Sequence, residues 1–299
     1  MILVTGASGI VGKAVMARAR QLGLDALGLA RTPDGDPQST NIACDLATCA
    51  PLPNLVARRP SVIIHLAAAV PHSPRYPDTE ASAALTRRVD ACVHAAAEEW
   101  RCHVVYASSC GLYDRLSPRT KSESSDDLIR IASPYFAAKR DGERLFAGLQ
   151  GCTVLRLPAP VGPGVPPGLV VARFVAQALA GEKLAIWGSG KREQNFVDAT
   201  DLAEAALAAA RVRWPGTINI AAARPVTMLE LAHCVVEVVG RGSVALSGQP
   251  DPRDAETARY STERAASVLG WTPKVSLASS IRSLAEHLSA SRQPEAERQ

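Results

Sequence analysis

Tyr135 and Lys139 stand four residues apart, just after Pro134, in a stretch that reads as helical, so their side chains share one face. A free phenol with a pKa near 10 is a sluggish proton donor or acceptor at neutral pH, and an ammonium beside it would stabilise the phenolate and lower that pKa. Ser108 and Ser109 end an apolar run at 104–107 that reads as a strand. In an open parallel sheet, strand C-terminal ends face the ligand crevice. A serine hydroxyl there can donate to a carbonyl oxygen as charge builds on it. Together these residue types suit oxidation or reduction at a carbonyl or carbinol carbon. The tyrosine would exchange the proton, and the lysine would tune the tyrosine and hold a ribose.

Such chemistry needs a hydride carrier, and the N-terminus has the pattern that holds one. An apolar run at 2–4 is followed by Thr5-Gly6-Ala7-Ser8-Gly9-Ile10-Val11-Gly12, after which Ile10, Val11, Ala14, Val15 and Leu22 fall mostly on one helical face. The unpaired N–H groups at a helix N-terminus bind a pyrophosphate. Gly6 would permit the tight turn, Gly9 would keep a side chain out of the phosphate path, and Gly12 would let helix pack on strand. Thr5, Gly6, Ser8, Gly9, Ile10 and Gly12 are therefore expected at a dinucleotide. At the end of a second strand, 26–30, an acid would bond a ribose 2′-OH; Ala30 stands there and Arg31 follows. Arg31 can pair with a 2′-phosphate, so NADP(H) is expected, with NAD the alternative, although a solvent-facing loop arginine would look the same. Asp45 and Leu46 are placed to grip an adenine edge. In His65-Leu66-Ala67-Ala68, at the end of a fourth strand, Leu66, Ala67 and Ala68 would let the cofactor lie against backbone.

Short apolar strands alternating with helices predict an α/β fold, a Rossmann-type doubly wound parallel sheet, with a smaller C-terminal substrate-binding lobe. Further strands are expected at 62–66, 153–157 and 217–220, and helices at about 80–100, after Pro134, at 201–210 and at 228–239. Between them Pro158, Pro160, Pro163, Pro166 and Pro167, with Gly162, Gly164 and Gly168, cannot continue sheet or helix and mark a crossing. The expected organisation is a dinucleotide-binding domain at 1–157 with returning segments near 195–221, a substrate lobe at 158–194 and 222–290, and a disordered tail at 291–299.

Composition narrows the alternatives. Aromatics at 4% and a formal charge of +4, spread over 33 basic and 29 acidic residues, do not make a nucleic-acid footprint. Seven cysteines without a C-x-x-C pair fit reduced cytoplasmic thiols rather than a disulfide framework or zinc knuckle. Six scattered histidines without i,i+4 pairing suggest no metal site. No secretory signal or membrane-length apolar run is read, so the expected location is cytoplasmic. Arg87 and Arg88 read as a solvated or dimer-edge face, and Trp187 as cleft lining or packed core.

Taken in order, these motifs resemble the extended short-chain dehydrogenase/reductase family, the NAD-dependent epimerase/dehydratase group. They comprise the glycine turn, Cys44-Asp45-Leu46, His65-Leu66-Ala67-Ala68, Ser108-Ser109-Cys110-Gly111-Leu112-Tyr113 and Ser133-Pro134-Tyr135-Phe136-Ala137-Ala138-Lys139. Leu155-Arg156, Gly162-Pro163-Gly164, Gly188-Ser189-Gly190, Asn195-Phe196-Val197, Asp201 and Leu269-Gly270-Trp271-x-Pro273 follow. The resemblance selects Ser109 over Ser108 and implies a catalytic set of Ser109, Tyr135 and Lys139, a nucleotide-sugar substrate and a homodimer. Asp90 departs from it, standing where an Asn is usual. Ala159 and Gln194 stand where nucleotide-sugar enzymes of the family carry Asn and Arg for the diphosphate. Arg253 matches a late phosphate-binding arginine, with a loop salt bridge as its plain reading, and Lys191 and Arg192 are near enough to compensate. The expected substrate set is Ser109, Cys110, Lys191, Arg192, Gln194 and Arg253. Ketoreduction of a nucleotide sugar leads. The alternatives are an epimerase with tightly held NAD, a ketoreductase on another carbonyl, and a non-catalytic dinucleotide sensor. A dehydratase is disfavoured because Cys110-Gly111 offers no acid-base pair.

Overall fold

The computed structural model describes residues 1–32, 40–48, 51–71, 76–124 and 133–291; Cys49 and all but the first residue of the expected tail lie outside that set. In chain order, the first half runs β1 (Ile2–Thr5), α1 (Ile10–Gln21), β2 (Ala26–Ala30), β3 (Asn41–Ala43), α2 (Leu52–Leu55), β4 (Val62–His65), α3 (Glu80–Trp100), β5 (His103–Ser109), α4 (Pro134–Ala147) and β6 (Cys152–Leu157). The second half runs β7 (Ala159–Val161), α5 (Val170–Leu179), β8 (Lys183–Ile186), β9 (Glu193–Gln194), β10 (Phe196–Asp198), α6 (Ala199–Val212), β11 (Gly216–Asn219), β12 (Val226–Thr227), α7 (Met228–Val239), β13 (Ser243–Leu246), α8 (Glu263–Leu269) and α9 (Leu277–Ala290).

Among the described residues, seven strands form one parallel sheet in the order β11-β6-β5-β4-β1-β2-β3. After β1 the chain builds outward through β2 and β3, then returns to the other side of β1 as β4. The reversal between β1 and β4 opens a crevice beyond their C-terminal ends, where ligands bind in open α/β sheets. Successive β1 side chains serve opposite faces. Val4 packs with α1 and α6 residues such as Val15 and Leu202, whereas Leu3 packs with α3 and α4 residues such as Val93 and Phe146. A third core, around Val171, Phe174, Leu184, Leu231 and Ile281, holds α5, α7 and α9 against β8.

Local signals explain the best-placed helices. α3 starts where the Thr79 side chain accepts from the Ser82 N–H, and stops at Arg101 in left-handed conformation. α7 has a reciprocal Thr227/Glu230 capping box and ends at Gly240 with φ +72°. α4 has Ser133 as cap and Pro134 in its first turn.

One expectation is corrected. The proline-rich stretch after 157 does continue as sheet, because Ala159–Val161 pairs with β10 in a separate two-stranded ladder. Pro160 is tolerated there because an edge strand need not use every N–H. Among the described residues, no helix is long and apolar enough to cross a membrane.

Candidate active site

The crevice is a cavity of about 1570 Å³ reaching from the glycine turn to the C-terminal segments. At one end the turn fits a dinucleotide. Gly6 has φ +69°, and a Cβ there would lie 2.8 Å from the Ala67 nitrogen; a Cβ on Gly12 would lie 2.1 Å from the Gly6 carbonyl oxygen. The backbones of β1, α1 and the β4 end thus touch where side chains would hold them apart. Gly9 caps α1 without a side-chain hydrogen bond, and the first turn carries no acid, so its donors face the crevice unopposed.

Gly6, Ser8, Gly9, Ile10, Gly12, Arg31, Asp45, Leu46, Leu66, Ala67 and Ala68 all line the cavity. Thr5 does not. It is buried, with Oγ1 2.6 Å from His65 Nδ1 and accepting from the Ala67 N–H at 3.3 Å, so it braces the crevice floor. The Arg31 guanidinium lies 5.2 Å from the Tyr76 ring centre. Asp45 accepts from the Ala47 N–H, which turns the chain after β3.

Ser109, Tyr135 and Lys139 line the same cavity from β5 and α4. The two adjacent serines are committed differently. Ser108 donates to Glu143 Oε1 at 2.5 Å, whereas Ser109 Oγ accepts from the Gly111 N–H at 3.0 Å, which leaves its proton to donate. Glu143 in turn makes a paired hydrogen bond with the buried Arg156 guanidinium, at 2.9 and 2.8 Å.

The Lys139 ammonium donates to the Ala107 carbonyl at 2.8 Å and sits 4.8 Å from the Tyr106 ring centre. Burial lowers its pKa, opposed by Asp90 and Glu143. Tyr135 shifts the other way: burial pushes the phenol well up, and Asp90 and Asp78 add to the rise. In this arrangement Tyr135 is held protonated.

The substrate set is only partly assembled. Ser109, Cys110, Gln194 and Arg253 line the cavity; Lys191 and Arg192 do not. Arg192 is paired with Asp251 at 3.3 Å. Arg253 makes a two-pronged bond to Glu256, at 2.8 Å for each prong, which is its plain salt-bridge reading. The Cys110 thiol donates to the Arg156 carbonyl and is driven up by burial, so it is a packed group rather than a reactive one. Trp187 is exposed and away from the cavity.

Among the cavity residues that the motifs do not mark are Asp78, Arg115 and Arg173. Asp78 accepts from the Ser133 hydroxyl and the Tyr135 N–H, at 2.7 and 2.9 Å, and so fixes the start of α4. Arg115 reaches Gln194 Oε1 at 3.0 Å and Glu256 at 3.1 Å, bringing a cation to the place where Gln194 removes one. Arg173, exposed on the first turn of α5, also lines the cavity. No motif marks any of them, although arginines just after a β5 serine run and at a helix start are a retrievable signal. Among the described residues, no cluster of three metal-binding side chains occurs.

The model of the NAD dependent epimerase/dehydratase family matches residues 2–221. Over 310 aligned residues the chain is 29% identical to UDP-glucose 4-epimerase of Mycolicibacterium smegmatis, covering 95% of this chain and 97% of that one. It is 32% identical over 184 residues to a dTDP-4-dehydro-6-deoxy-D-allose reductase of Streptomyces, covering 57% and 56% of the two. The first relatives matched are aligned over only 25 to 56% of their own length. Among solved structures, MoeE5 in complex with UDP-glucuronic acid and NAD is similar at TM-score 0.80 and 28% identity, covering 97% of this chain and 99% of that one. With the glycine turn, the parallel sheet and this match over residues 2–221, the chain belongs to the NAD dependent epimerase/dehydratase family.

Proposed function

We propose that the protein is an NADP(H)-dependent oxidoreductase that reduces a keto group on a nucleotide-activated sugar, working as a homodimer. The observation that carries the reading is that Ser109, Tyr135 and Lys139 line one cavity with the glycine turn. When bound, a nicotinamide supplies or accepts the hydride equivalent. Tyr135 donates its proton to the substrate oxygen, Ser109 donates a hydrogen bond to that oxygen, and Lys139 supplies positive charge beneath them. Burial, Asp90 and Asp78 keep the phenol protonated, and the nearby ammonium has to offset that rise for the proton to be given readily. Residues 1–157 with the returning 195–221 hold the dinucleotide, and 158–194 with 222–290 hold the sugar. Arg115, Arg173 and Arg253 supply the positive charge for a diphosphate.

The preference for NADP(H) rests on Arg31 after β2, with no acid at the strand end. Initial rates with a panel of nucleotide-linked 4-keto sugars should be at least tenfold higher with NADPH than with NADH, and Arg31→Ser should erase most of that ratio. A preference for NADH would overturn the assignment. A second reading, an epimerase with tightly held NAD, is favoured by the near-full-length likeness to the M. smegmatis epimerase and by the NAD in MoeE5. It predicts that purified protein carries NAD and interconverts UDP-sugars with no added cofactor.

A further inference from the structure

Asp90 on α3 is 1% exposed and both of its carboxylate oxygens are used. Oδ2 accepts from the Tyr106 hydroxyl at 3.0 Å, and Oδ1 lies 3.0 Å from His65 Nε2. Burial lowers the His65 pKa, so the imidazole is neutral and carries one proton. A carboxylate can only accept, which places that proton on Nε2 and leaves Nδ1 as an acceptor for the Thr5 hydroxyl at 2.6 Å. Thr5 Oγ1, having donated, accepts from the Ala67 N–H. With that tautomer the bonds run one way, from Ala67 through Thr5 and His65 to Asp90.

The two ends of this arrangement reach the site. Ala67 is the residue against which Gly6 packs so closely that no Cβ fits. Tyr106 carries the Lys139 ammonium over its ring. Gly142 on α4 also faces Asp90, where a Cβ would fall 2.6 Å from Oδ2 and 2.1 Å from the Tyr106 hydroxyl oxygen, so α4 is seated directly on the carboxylate.

We infer that Asp90 is a positioning residue: through His65 and Thr5 it sets the floor of the dinucleotide turn, and through Tyr106 it places a buried negative charge beneath the Lys139–Tyr135 face of α4. The inference rests on the proposed roles of Tyr135 and Lys139. The titratable groups facing this cluster are His65 from β4, Tyr106 from β5, Tyr135, Lys139 and Glu143 from α4, and Asp78 from the segment before α3. Asp90 opposes ionisation of Tyr135 and opposes deprotonation of Lys139. Both effects extend to higher pH the range in which the tyrosine is a proton donor beside a cation.

Asp90→Asn keeps the shape and removes the charge. In the reductive direction, the alkaline limb of the kcat profile should move down by about one pH unit, the low end of the shift that a neighbouring charge produces. Dinucleotide affinity should stay within about threefold. A profile that superimposes on the parent's, in a protein whose Tyr135→Phe variant is inactive, overturns this inference and leaves the catalytic assignment standing. If Tyr135→Phe keeps its turnover, the catalytic assignment fails first. The His65 tautomer then decides, read by long-range 1H–15N correlation in the parent and assigned with His65→Gln. A proton on Nε2 with Nδ1 bare supports the Asp90 chain, and a proton on Nδ1 refutes it in either case.

Discussion

Replacing Gly12 with alanine should uncouple dinucleotide binding from the rest of the molecule. The added Cβ would stand 2.1 Å from the Gly6 carbonyl oxygen and 2.8 Å from Ala7 Cα, both backbone atoms of the turn itself. A carbon needs more than 3 Å from either, so the turn must open by about 1 Å. Gly6 cannot retreat, because it already packs on Ala67 and Leu66 of the β4 end. The opening therefore falls on the N–H groups that face the pyrophosphate, and misplacing a preorganised group by about 1 Å costs on the order of 10²-fold. Overpacking adds about 1–3 kcal/mol of destabilisation, or roughly 2–10 °C in Tm for a chain of this size. Gly148→Ala is the control, since Gly148 is helical and a Cβ there meets only the Leu145 carbonyl oxygen at 3.3 Å. Isothermal titration with NADPH and NADH should show the hundredfold loss in Gly12→Ala alone. Unchanged affinity in a folded Gly12→Ala protein would refute the argument that these donors bind the cofactor.

Two further outcomes concern stability. Glu143→Gln strips the buried Arg156 guanidinium of its carboxylate and should cost about 3 kcal/mol, read as a lower urea midpoint; an unchanged midpoint would show that Arg156 finds another anion. Lowering the pH should destabilise the fold in the window between about 6.5 and 4. Burial pulls His103 down to about 4 and lowers His65, so the unfolded chain takes up protons that the folded chain refuses. This contribution is complete above pH 6.5 and declines as pH falls through the window. His103→Gln should lose less of its urea midpoint between pH 7 and pH 5 than the parent does, and an equal loss would contradict the assignment.

Elements with strong local punctuation were legible from the residues alone. The helix at 80–100 and the helix at 228–239 coincide with α3 and α7, because apolar period and caps agree there. The dinucleotide turn was legible for a similar reason, since its three glycines answer a need for close backbone approach that few other arrangements create. The second half was less readable. α5 follows directly on the proline-rich stretch, and β8 and β13 meet only through pairing across about 60 residues of sequence, which no local pattern encodes. At the site, residue types were readable but partnerships were not. The residue types at Arg253 and Lys139 were legible, but not the two-pronged Glu256 bond on the one or the Ala107 carbonyl and Tyr106 ring beneath the other. Asp90 looked like a departure from a pattern, yet it anchors a buried hydrogen-bond chain whose other members lie on β1, β4 and β5.

The central claim is that Tyr135 exchanges the proton while the glycine turn holds the dinucleotide, and Tyr135→Phe tests it most directly. The variant removes one hydroxyl and leaves α1, Gly6 and Ala67 untouched, so NADPH should bind within about threefold of the parent. Turnover of a reducible nucleotide sugar should fall by 10²-fold or more, the usual contribution of a positioned acid. Intact NADPH binding with lost turnover is the predicted result. Undiminished turnover would contradict the account.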